Sequence, residues 1–468
     1  MAKSKLIQAL EILTPAQKSD LSVFLRMPSN KLSSRNQELL QLLLDQNVNW
    51  NECSETQFWE THLQREEKSK RNSIKNKLLE VLDRFCLFNS IQADLPMSYT
   101  LMARFYLENG VPKNGFSWLK KAQGILGTEE DRTLNRALYQ FWLHELEVNA
   151  SREKRIHTGK VDQMQKALEE FYHINKTRIY CEKLNRGNIV KTGEDLEQLR
   201  SQLESPSDSI EGRLYFDLSR LLLDEETDKY ESIEQVLEKQ KRVLTKKYRK
   251  EIIEYLMNFC IRKTNQGDKF FAEAYLRLVG VLKAEGMWLN MGKLSLSRFK
   301  NYIVASIIAD NIEWGRSFFD QYKYKLEAPK KFEKKPFLNF NLAIVEFYSG
   351  HWQDSRKLLT DFKNSNMYSK DIYHKIACDK LLLKIDFELR DFEFLGRDAN
   401  RISRYIDKHP TLPRSRKAPH LQFIQYFKAL IKEAPFDLET NKGKLLILDY
   451  KWLKKHQGQQ GAIKGKNE

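Results

Sequence analysis

The sequence predicts an all-α fold: an α-solenoid, that is, an α-α superhelix of stacked helical hairpins, behind an N-terminal helical cap. Three observations carry this. Helix breakers are scarce, with 19 Gly and 11 Pro in 468 residues, where an all-β design would need frequent turns. Apolar residues recur at the spacing of one buried helix face over long stretches. Turn positions 267, 310, 350 and 390 follow one another at separations of 43, 40 and 40 residues, an internal period that marks a repeat architecture.

Residues 1–92 read as the cap. Two of its five helices open with capping boxes, Thr14-Pro15-Ala16-Gln17 and Ser54-Glu55-Thr56-Gln57, in which a hydroxyl accepts from a free backbone N–H and the Gln reaches back. Met27-Pro28-Ser29-Asn30 interrupts the pattern, Asn36–Gln46 resumes it, and a longer helix runs from about Lys68 to Leu87.

Residues 93–434 read as the repeat region. Tyr99, Met102, Ala103, Tyr106, Gly110, Gly115, Leu119 and Ala122 fall at the spacings of a tetratricopeptide unit. Ala103 lets a second helix approach, Gly110 supplies a left-handed cap, and Gly115 removes a side chain where two helices cross. Ile253–Val279, Leu296–Tyr322, Phe337–Phe362 and Ile376–Ile402 repeat the logic, with Asp310 and Arg390 standing where Gly267 and Gly350 stand in their units. Their spacing exceeds the roughly 34 residues of a standard tetratricopeptide unit, so connections or helices are longer here. Lys160–Leu184 reads as a long bracing helix, and Ser232-Ile233-Glu234-Gln235 as a further capping box. Residues 435–456 form a C-terminal helical segment anchored by Trp452, and 457–468 read as a disordered tail without packing residues.

Several segments together resemble an uncharacterised family of bacterial tetratricopeptide-like (TPR-like) helical-repeat proteins of similar length. They are Phe24-Leu25-Arg26-Met27-Pro28, Ala167–Tyr172 with Cys181–Asn185, Asn258–Arg262 with Asn265-Gln266-Gly267-Asp268, and Asn341–Trp352. The resemblance covers most of the chain. It implies a fold and no particular activity.

Composition bounds the function. With 41% hydrophobic residues the chain is too apolar to be disordered. Against 63 acidic residues stand 79 Lys and Arg, a net charge of +16 that suits an acidic partner. The basic runs Lys239–Lys250, Lys330–Lys335 and Arg414–Lys417 are interleaved with apolar residues, as solvated helix faces would be. Five cysteines with no CxxC pair suit a reducing compartment. The N-terminus lacks a secretory apolar core, and the most apolar stretch, Tyr302–Ala309, is too short to span a bilayer, so the expected location is the cytoplasm, away from membranes.

Catalytic motifs are not apparent. The tail Gly461–Asn467 misses a phosphate loop in spacing and context. His374 and Cys378 share a helix face but lack further ligands, so a packed thiol and a half-exposed imidazole are expected in place of a metal site. The acidic run Asp224–Asp228 reads as a solvated loop before a helix, and the aromatics, at helical spacing, as core. The reading is of a non-enzyme with no cofactor.

One constellation stands out. Lys300 falls at the fifth position of its unit, Asn341 at the sixth of the next, and Lys380 and Lys384 at the fifth and ninth of the one after. These four resemble the carboxylate clamp by which one tetratricopeptide subclass holds a peptide's terminal carboxylates, except that Val304 stands where the clamp has Asn. The expectation is a protein- or peptide-binding scaffold whose concave face takes an acidic C-terminus. The alternative is a helical-repeat nucleic-acid binder, motivated by the charge.

Overall fold

The computed structural model describes residues 4–27, 32–45, 52–63, 68–127, 136–153, 159–189, 209–241, 244–266, 268–289, 292–329, 332–410, 412–439 and 445–457. Gly267, the break at 28–30 and the tail 458–468 lie outside them. The chain divides into two compact units, Met1–Tyr172 and His173–Glu468. Among the described residues, the regular structure is helical apart from one two-residue strand pairing.

The first unit opens with α1 (Lys5–Glu11), α2 (Pro15–Leu25), α3 (Ser34–Asp45), α4 (Glu52–His62) and α5 (Lys68–Ala93), which pack around Leu21, Leu40, Leu82 and Phe85. The Thr14 capping box forms, with Thr14 Oγ1 accepting from the Gln17 N–H at 3.2 Å and Gln17 Oε1 accepting from the Thr14 N–H at 2.9 Å. Ser54 is not a cap, because α4 already starts at Glu52.

Next come α6 (Leu95–Glu108) and α7 (Pro112–Leu126), the first hairpin. Gly110 has φ +74°, and a Cβ added at Gly115 would stand 2.6 Å from Leu107 Cγ, so the crossing needs glycine there. Ala103 is fully buried beside Leu119 and Ala122. α8 (Arg136–Glu153) follows, then α9 (Lys160–Ile189), within which the two units meet in sequence.

The second unit contains α10 (Ile210–Asp224) and α11 (Asp228–Lys239). α11 begins four residues before Ser232, since Asp228 and Glu231 in its first turn suit the positive end of the helix dipole; Ser232 is therefore interior. Four hairpins follow: α12 (Lys246–Asn265) with α13 (Lys269–Ala284), α14 (Leu296–Ile308) with α15 (Ile312–Tyr322), α16 (Lys334–Tyr348) with α17 (Trp352–Lys363), and, after α18 (Asn366–Lys370), α19 (Ile372–Glu388) with α20 (Leu395–Lys408). α21 (Arg414–Ile431) and α22 (Ile447–Gln457) complete it. The first helices α12, α14, α16 and α19 touch one another in that order. α9 and α12 run parallel, because Arg178–Glu251, Glu182–Tyr255 and Asn185–Asn258 all pair across the same sequence offset of 73.

The turns share one geometry. Asp310 (φ +58°), Gly350 (φ +85°) and Arg390 (φ +60°) are all left-handed. In each, the next N–H bonds back to the carbonyl five residues before it: Asn311 to Ser306 at 2.8 Å, His351 to Glu346 at 2.9 Å, Asp391 to Asp386 at 2.8 Å. This is the Schellman closure, reached at two positions without glycine, at a cost of about 1–2 kcal/mol each. A further turn of the same kind, unforeseen from the sequence, follows α21 at Glu433 (φ +54°), where Ala434 N–H reaches Ala429 O at 2.9 Å. Five residues after three of these turns stand Gly315, Ser355 and Leu395; a Cβ on Gly315 would collide with Ser306, while Ser355 Oγ donates to Ala343 O at 2.7 Å.

One spot departs from the all-α expectation. β1 (Leu294–Ser295) pairs in parallel with β2 (Leu326–Glu327), because the segments flanking the α14–α15 hairpin are longer than turns and lie side by side. Among the described residues, no helix is long and apolar enough to cross a membrane.

Candidate functional site

The left-handed turns give the first helices a common register. Ten residues before each turn stand Lys300, Phe340, Lys380 and Phe423; six before stand Val304, Ile344, Lys384 and Phe427. These two positions are four apart on a helix and therefore share a face. Lys300, Val304, Phe340, Ile344, Lys380 and Lys384 line one cavity of about 350 Å³. The chain's own segment Leu446–Asp449 forms part of the wall, with residues of α12 among the rest.

That segment leads into α22, which lies against the same face. Asp449 is the hub. Lys380 Nζ and Lys384 Nζ donate to its two carboxylate oxygens, the Lys384 bond measuring 2.7 Å. All three side chains are buried, and both ammonium groups stand over the Phe423 ring, at 4.7 and 5.1 Å. Burial alone would raise the Asp449 carboxyl; the two ammonium groups overcome it and hold the group at about 2. Burial, only partly offset by Asp449, draws the Lys380 ammonium below the usual lysine range. Lys380 also donates to His420 Nδ1 at 3.2 Å, and burial with the adjacent Lys380 charge pulls that imidazole down to about 4. His420 is thus neutral at physiological pH.

A second anchor lies one turn along α22. Glu388, two residues before the Arg390 turn, accepts from Trp452 Nε1 at 2.9 Å and pairs with His456 Nε2 at 2.8 Å. Burial would raise the Glu388 carboxyl, but these partners hold it below its ordinary value. Trp452 stacks on Phe427, with ring centroids 5.9 Å apart, and meets Phe387 edge-on at 5.4 Å. Tyr348, two residues before its own turn, donates to Leu448 O at 3.0 Å. Lys451 reaches Ile307 O at 2.7 Å and Asp310, setting a cation at the negative end of α14. So Asp449, Trp452, Leu453 and His456, at i, i+3, i+4 and i+7, form the seated stripe of an amphipathic helix.

Of the four residues expected to form a clamp, Lys300, Lys380 and Lys384 face this cavity and Asn341 does not. Asn341 stands nine residues before its turn, one away from the facing position, and one residue is about 100° of helix rotation. It is fully buried, donating to Phe337 O at 2.8 Å, while Phe340 takes the place in the cavity wall. Lys300 stands at the cavity mouth with an exposed side chain, though the surrounding walls still lower its ammonium. Val304 lines the cavity beside it.

Sequence reasoning missed Asp449, His420, Glu388 and the Phe340–Phe423 stripe. The common register would have located the stripe once the turn at Glu433 was known; Asp449 has no local signal. His374 bonds Asp371 at 2.8 Å and packs against Phe340, while Cys378 is buried with its thiol pushed up by desolvation. No cluster of three potential metal-ligating side chains occurs among the described residues.

The fold and this face define an all-α protein of serial helix pairs with a lysine-bearing groove. No family model, curated protein or solved structure matches the chain.

Proposed function

We propose that this chain is a non-catalytic, TPR-like helical-repeat scaffold whose concave face, formed by α12, α14, α16, α19 and α21, binds a segment of a partner protein. One observation carries the reading: the chain's own helix Ile447–Gln457 already lies on that face with its buried residues on one side, an acid held between Lys380 and Lys384. Helix-in-groove recognition uses this i, i+3, i+4, i+7 pattern. The regular turn geometry supports the solenoid half of the reading. The partner segment is accordingly a helix offering an acid, an aromatic three residues on, a leucine next to it, and a donor one turn later. An internal acid at the Asp449 position serves as well as a terminal carboxylate, because what the two ammonium groups require is a carboxylate between them.

The test is an anisotropy titration of a labelled LLILDYKWLKKHQ peptide, residues 445–457, into the full chain carrying Asp449→Ala and Trp452→Ala, substitutions that loosen the internal segment. Saturable binding is expected, weakened about tenfold or more when the peptide's Asp becomes Asn, since hydrogen bonds to charged groups contribute about 1.5–3 kcal/mol. If the loosened chain takes up no peptide, the reading is wrong.

A further inference from the structure

The groove is not filled by its own segment. Between the α12–α14–α16 wall and Leu446–Leu448 an opening of about 350 Å³ remains, the lower end of the size of small-molecule sites. Ile261, Val304, Phe340, Ile344, Leu446 and Leu448 make its walls apolar.

Its polar groups fall into two sets. On α19, Lys380 and Lys384 are already neutralised by Asp449. On α12, Thr264 is 5% exposed, lines the opening, and has no hydrogen-bond partner for its Oγ1 among the described residues. A buried hydroxyl left unpaired costs about 1–3 kcal/mol, so its presence there points to a missing partner. Lys300 stands at the same opening and forms no hydrogen bond or ion pair among the described residues. The acid acting on it, Asp371, has its oxygens committed to His374 and to the backbone N–H groups of Tyr373 and His374. Asn265 and Asn301 supply further amide groups at the rim.

We infer that this opening is a binding site for a small amphipathic carboxylate: an apolar chain against Val304, Phe340, Ile344 and Leu448, and an anionic head held by Lys300 near the mouth. An apolar body with one carboxylate matches the opening feature by feature. A neutral apolar molecule would leave Lys300 unanswered, and a dianion would exceed the one uncommitted cation. The site stands on the cavity itself and does not depend on a protein partner.

Sodium decanoate is the probe, with decanol as its uncharged counterpart, in calorimetric titrations and thermal unfolding of the full chain. Decanoate is expected to bind in a single saturable phase, raise the unfolding temperature, and bind at least tenfold more tightly than decanol. Lys300→Met should weaken decanoate about tenfold and leave decanol unchanged. Val304→Trp, on a half-buried position at the wall, should block both ligands in a chain whose circular dichroism is unaltered. The inference is overturned if decanoate does not bind the unmodified chain, if Lys300→Met leaves its affinity intact, or if folded Val304→Trp protein still binds it. Peptide binding measured with Lys300→Met added to the Asp449→Ala, Trp452→Ala chain reports separately on the scaffold reading.

Discussion

Lys300 and Lys380 each stand ten residues before a left-handed turn, two hairpins apart, and both face the groove. Their circumstances differ completely. Lys380 is buried, joined to Asp449 and His420, and covered by an aromatic ring. Lys300 is exposed and forms no ion pair among the described residues; Asp371 acts on it only at a distance. Register alone therefore does not decide what a groove lysine does. The difference comes from α22, which delivers its acid to Lys380 and Lys384 and brings none to Lys300. One end is a finished structural joint; the other keeps an exposed lysine.

The largest effect that could break this contrast is removal of the shared acid. Asp449→Ala leaves two buried ammonium groups facing each other, and breaking a buried pair costs about 3–5 kcal/mol. Urea unfolding should report that loss, and hydrogen exchange should rise across residues 445–457. Should Asp449→Ala unfold like the unmodified protein, the Asp449 joint contributes nothing and the contrast collapses.

Acid should act next. In the unfolded chain His420 protonates near 6.5, but in the fold only near 4. Its contribution is therefore fully present above pH 6.5 and lost as pH falls from 6.5 towards 4, by about 3 kcal/mol at most. Asp449 adds a second stage. Its folded pKa of about 2 lies below the ordinary 3.8, so its contribution is lost only as pH drops from 3.8 towards 2. His420→Leu should flatten the first stage and spare the second. A stability profile of that variant with an undiminished slope between pH 6.5 and 4 would place the acid response elsewhere.

A packing test away from the groove comes third. Gly115→Ala should crowd Leu107 and cost about 1–3 kcal/mol, as overpacking does. Gly124→Ala, on the same helix with open space around it, should be neutral or slightly stabilising, since alanine favours helix. Thermal melts of the two variants give the comparison directly. The smallest effect belongs to Lys300→Met, expected to shift stability by no more than about 0.5 kcal/mol, as for surface substitutions generally. A loss comparable to that of Asp449→Ala would mean that Lys300 is as structural as Lys380.

Much of the helical frame was legible because helix period, caps and turn glycines are local signals. Thr14, Gly110, Gly115 and Ser355 behave as their residue types suggest. Ser232 misled because Asp228 and Glu231 suit a helix start upstream of it, and Ser54 because its helix already starts at Glu52. Lys380 and Lys384 could be paired on one face from their spacing of four. Asn341 was one residue out of phase with Phe340, and a slip of one turns a groove residue into a core residue. Glu433 was invisible as a turn because nothing in glutamate favours a left-handed backbone. Asp449 lies 65 residues after Lys384, and no spacing rule reaches that far.

That separation also has a temporal meaning. During synthesis the walls of the groove are made before the helix that covers them. At about 5–20 residues per second, Asp449 follows Lys384 by roughly 3–13 s. Throughout that interval the nascent chain carries two closely spaced cations without their acid, and in its last third the Phe423–Phe427 stripe stands without its cover as well. Any cellular factor that protects emerging apolar surface would meet this stretch first in its uncovered form.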